Sequence, residues 1–208
     1  MNQRDAGFTL IELLVAVTLL GVIVLALGNA VIGYVRTNDV TADRLLLSHD
    51  AQIASAYFAG DVAAVGLRDY SVSGTPFLPS IQLNAAYDAG GVVCGDAATT
   101  PVAVVRFLSD DWDSSVSQPV RHTDVVAYYL VASELHRLRC AGGAESDAIV
   151  AHFVHPDSVA VTCSSACDAA PVPQTVTLRF TVIRPYFDPS DPNADPYEIV
   201  LSGQRRQT

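Results

Sequence analysis

The chain has 208 residues, half of them hydrophobic and 16% charged, with a mean hydropathy of +0.30. That is enough apolar material for a core, so a wholly disordered chain is excluded, and the scattered Gly and Pro exclude a collagen-like or low-complexity one. The net charge is −10, from 22 acidic residues against 12 basic ones, all of them Arg. Such a surface repels phosphate backbones, and no nucleic acid is expected as a partner.

Residues 1–7 are polar. From Phe8 to Ile32 the chain is almost continuously apolar, interrupted by Thr9, Glu12, Thr18 and Asn29. As a helix this run reaches roughly 37 Å, enough to cross a hydrocarbon core of about 30 Å. It is the one run of that length, so a single membrane crossing is expected. Glu12 stands out within it. A carboxylate in such a run costs about 2.5–3.5 kcal/mol at mid-membrane and calls for a cation or an interfacial position.

The stretch Gly7-Phe8-Thr9-Leu10-Ile11-Glu12-Leu13-Leu14-Val15-Ala16-Val17 closely resembles the class III signal of type IV pilins and pseudopilins. The resemblance implies cleavage by a prepilin peptidase between Gly7 and Phe8, N-methylation of Phe8, and pairing of Glu12 with a neighbouring subunit's terminal amine during assembly. The Phe8 ammonium is a cation at a depth that suits Glu12. An ordinary secretory signal, cleaved near Gly28 or Ala30, fits less well. The apolar run is longer than the usual h-region and carries a carboxylate, and Arg4 is offset by Asp5. A simple uncleaved anchor is the other alternative.

No Pro precedes Pro76, so nothing forces the helix to stop at the membrane surface. Val35, Ala42, Leu46, Ile53 and Tyr57 form an imperfect apolar stripe, interrupted by Asp39 and His49, with Arg36, Asp43, Arg44 and Asp50 on the wet side. The helix is expected to end near Phe58 or Val65, with Gly60 and Gly66 as stop signals. A break near Gly33 into two helices is the alternative.

Strand signals accumulate after a loop at residues 71–79. They cover 102–108, 124–132, 135–140, 148–155, 159–163, 176–183 and 197–201. Ser133-Glu134 suggests one hairpin and Pro156-Asp157-Ser158 a second. The expected fold class is α+β: a long N-terminal helix packed on an antiparallel head of six to seven strands. The expected division is a leader at 1–7, a membrane or filament-core helix at 8–32, an amphipathic continuation at 33–66 and an extracytoplasmic β-rich head at 67–208. The strand pairs, the total length and the Arg44–Leu47 segment are similar to minor pilins or pseudopilins of the J and W types.

Cys94, Cys140, Cys163 and Cys167 allow three pairings. A Cys163–Cys167 small loop with a Cys94–Cys140 cross-link is favoured, each bridge stabilising by about 2–4 kcal/mol. A zinc site from His152, His155, Cys163 and Cys167 is disfavoured, because strand residues three apart point to opposite faces. Asp188, Asp191, Asn193, Asp195 and Glu198 make an oxygen-rich loop that suggests a structural calcium. It is not an EF-hand, since Pro196 replaces the required Gly. No other cofactor is expected. Asp110-Asp111-Trp112-Asp113 is a second acidic cluster, read as structural, and Arg205-Arg206 is too small a basic patch for DNA.

No nucleophile elbow, P-loop or H-E-x-x-H is present, so the chain is read as an assembly subunit and not an enzyme. Expected partners are other pilin subunits, the prepilin peptidase, an inner-membrane assembly platform and membrane lipid. The precursor is expected to cross the cytoplasmic membrane once with its head outside, then to join a surface or periplasmic filament of a type IV pilus or type II secretion system. The alternative is an adhesin or ligand-binding module displayed at a membrane or filament tip.

Overall fold

The computed structural model describes residues 9–113, 117–183 and 196–206, with the backbone alone at 39 and 40. One helix, α1 (Leu10–Ala64), precedes ten strands: β1 (Leu67–Arg68), β2 (Phe77–Leu78), β3 (Ile81–Ala85), β4 (Ala103–Asp113), β5 (Val120–Val131), β6 (Glu134–Ala141), β7 (Ala144–Ala151), β8 (Ala160–Cys163), β9 (Thr175–Val182) and β10 (Tyr197–Gln204). The fold is α+β, with an apolar N-terminal helix followed by antiparallel sheets. The chain divides into two compact units, Met1–Leu46 and Leu47–Thr208.

α1 runs past Gly33 without the alternative break and past Gly60, ending at Ala64. Thr37 is accommodated by donating its hydroxyl to the Gly33 carbonyl at 2.9 Å, a back-bond that satisfies the side chain inside the helix.

In the unit that starts at Leu47, β3-β4-β5-β6-β7 form a five-stranded meander and β10-β9-β8 a three-stranded sheet. β1 and β2 pair as a short ribbon. The last five turns of α1 supply Ala54, Phe58 and Val62, all wholly buried, to a core shared with Val105, Phe107 and Tyr128 of the larger sheet and Leu178 and Phe180 of the smaller. Phe58 packs edge-on against both Phe107 and Tyr128, with ring centroids 5.8 and 5.7 Å away. Edge-on packing is a preferred aromatic arrangement and adds to the burial of each ring.

The expected amphipathic stripe is corrected. Val35, Leu46 and Tyr57 are exposed, while Asp50, placed on the wet side, is 5% exposed. The buried face runs through Leu47, Ala51, Ala54, Phe58 and Val62, at steps of three and four, and includes Asp50 and Asp61. Two buried carboxylates blur the hydrophobic period, because the partners that permit their burial lie far away in sequence.

The first expected hairpin forms, with Val131 opposite Glu134 across Ala132-Ser133. The second does not. β7 pairs with β6 and β8 with β9. Pro156–Ser158 is a 3-10 turn that carries the chain from one sheet to the other. The strand that pairs with β7 is reached through Gly142-Gly143, whose φ values of 56° and 80° suit a two-residue hairpin turn. The short β2, within the expected loop, and β1 and β3, on either side of it, are also additional to the expected strands.

Candidate functional site

In the N-terminal unit every residue from Thr9 to Asn38 is exposed. The stretch is long and apolar enough to cross a membrane. Water around each of these large apolar side chains costs roughly 1.5–3 kcal/mol relative to burial. The surface therefore demands lipid or other helices.

Gly7 and Phe8 lie outside the described residues. Glu12 stands in the first turn, where Thr9 caps the helix. The Glu12 N–H faces the Thr9 hydroxyl oxygen at 3.4 Å, and that hydroxyl lies 3.5 Å from Glu12 Oε2. Thr9-x-x-Glu12 has the spacing of a capping box, a signal present in the sequence and missed there. Ile11, Val15, Ala16 and Leu19 line a shallow apolar furrow together with Glu12. A carboxylate at a helix N-terminus is favoured by the dipole, and its exposed oxygens remain open to a cation from outside the chain.

In the head, two buried acids hold α1 to the larger sheet. Asp61 receives Arg137 in a fork, Nε at 2.7 Å and Nη2 at 2.5 Å, and the Tyr128 hydroxyl at 2.6 Å. The Asp61 hydrogen bonds raise the Arg137 pKa despite desolvation, and burial together with Asp61 pushes the Tyr128 hydroxyl up. Arg137 also stacks on Tyr57, 4.7 Å from the ring centroid. Eleven residues earlier in α1, Asp50 Oδ2 accepts the His152 main-chain N–H at 2.9 Å and faces its Nδ1 at 2.9 Å.

The long β3–β4 connection covers the sheet's other face. Its pin is Arg106, wholly buried, which donates to the carbonyls of Ala86, Ala89 and Val92 and to Gln82 Oε1. Nothing in the run Val102–Leu108 announced that role, because the acceptors are main-chain groups of a loop. A disulfide between Cys94 and Cys140 ties the same connection to β6, and a second joins Cys163 to Cys167.

The disfavoured zinc ligands do not come together. Both sulfurs are spent in the disulfide, and His152 is engaged by Asp50. Among the described residues no group of three His, Cys, Asp or Glu side chains is placed to hold a metal. Asp188, Asp191, Asn193 and Asp195 lie outside the described residues. Glu198, on β10, faces Arg179 Nε at 3.3 Å. In the acidic cluster, Asp110 accepts Arg121 Nε at 2.6 Å and the Arg68 N–H at 2.9 Å. Trp112 is 46% exposed and edge-on to Tyr70, itself 45% exposed.

A helix whose exposed first half is dominated by apolar side chains, with one carboxylate in its first turn, ahead of a disulfide-bonded β head, suits a subunit held by a membrane or by other helices. Residues 2–28 match the family model described as the prokaryotic N-terminal methylation motif. The chain thus carries the type IV pilin and pseudopilin signature, and with it the marks of a processed, membrane-anchored precursor that assembles with other pilin subunits. No curated protein matches the sequence.

Proposed function

We propose that the chain is a structural, non-catalytic subunit of a type IV pilus or type II secretion-like filament. The peptidase cuts between Gly7 and Phe8, Phe8 is methylated, and the mature helix leaves the membrane to pack among neighbouring helices. Glu12 pairs with a neighbour's Phe8 ammonium and so sets axial register. The head, enlarged by the β3–β4 connection, suits a minor subunit at a filament end better than one repeated along its length. The observation that carries this reading is the exposure of every residue from Thr9 to Asn38, most of them apolar, together with the lone carboxylate in the first turn.

Intact mass and N-terminal sequencing of the protein from its native membrane provide the test. The expected chain begins at Phe8 and is one methyl group heavier than its sequence. Glu12→Ala is then expected to stop cross-linking into filaments while the head stays folded. A chain beginning near Asn29 or Val31 would lack the apolar first part of the helix and sink the reading.

A second reading, a ligand-binding head displayed at a tip, is favoured by Trp112 and Tyr70. Both are half-exposed, and they are braced by Arg121 stacked 4.9 Å from the Tyr70 centroid. Trp, Tyr and Arg are the side chains that most often dominate binding energy. That reading requires Trp112→Ala to abolish surface adhesion of cells bearing the protein while leaving its processing intact.

A further inference from the structure

We draw no further inference here: the strongest candidate, the outer edge of β10, which pairs only with β9 and is exposed at Glu198, Val200, Ser202 and Gln204, is an unpartnered strand edge, and nothing in the structure shows what covers it.

Discussion

Between Thr9 and Asn38 every residue of α1 is exposed, whereas Ala54, Phe58 and Val62 in its last turns are wholly buried. The exposed half is the more apolar. The buried half carries Asp50 and Asp61 inside its interface with the sheet. Apolarity therefore does not mark where the chain packs on itself. It marks where lipid or other subunits must complete the structure. The self-packing half is defined instead by acids that each meet a distant partner, Asp61 with Arg137 and Tyr128 of the sheet, Asp50 with His152 just past β7. Such contacts specify one docking position along the helix, which a uniformly greasy surface would not.

The largest expected effect comes from breaking that pairing. Asp61→Ala leaves the Arg137 guanidinium in a nearly closed site without its counter-charge, and a buried pair broken in this way costs about 3–5 kcal/mol. Leu19→Ala, in the exposed half, is expected to shift the head's stability by no more than roughly 0.5 kcal/mol. Denaturant unfolding followed by the fluorescence of Trp112, the chain's single Trp, compares the two. Equal losses would mean that the two halves are not energetically distinct.

A smaller effect is expected where the second sheet meets the same helix. A Cβ on Gly203 of β10 would stand 2.5 Å from Val62 Cβ, closer than real Cβ contacts come. Gly203→Ala should cost about 1–3 kcal/mol through overpacking. Gly203→Ala with Val62→Ala should recover part of it, the coupling expected of neighbours that share one space. Additive losses would show that β10 presses on something other than Val62.

These contacts also show what was legible in the sequence. The signal around Gly7–Glu12 is local, and the period-two run of β9 buries Val176, Leu178, Phe180 and Val182 as its alternation says. The helix register was misread because the burial of Asp50 and Asp61 depends on groups 102 and 76 residues away. The second hairpin failed for a similar reason. Pro156-Asp157-Ser158 has turn chemistry, but the main-chain bond from His155 N–H to the Thr181 carbonyl at 2.8 Å recruits the following chain to the smaller sheet. By contrast, Gly142-Gly143 was a readable turn that was passed over. The Thr9-x-x-Glu12 cap was equally readable. Arg106 was not, since a cation that organises main-chain carbonyls leaves no pattern in its own segment.

The smallest expected effect is a gain, and it lies in the turn between β5 and β6. Ala132 sits at φ 52°, a left-handed conformation that costs an L-residue about 1–2 kcal/mol. The equivalent turn between β6 and β7 escapes that strain with two glycines. Ala132→Gly removes the steric term and adds back about 0.5–1 kcal/mol of backbone entropy in the unfolded chain. The net expectation is a stabilisation of a few tenths to about 1 kcal/mol, read as a rise in the unfolding midpoint with an unchanged denaturant slope. Ala132 and Ser133 each lie four residues along the hairpin from the Asp61 partners Tyr128 and Arg137, so the gain should add to the Asp61→Ala loss without coupling. A non-additive result would mean that the β5–β6 hairpin transmits strain from its tip to Tyr128 and Arg137, and that the grip on the helix is set by the whole hairpin and not by the buried acids alone.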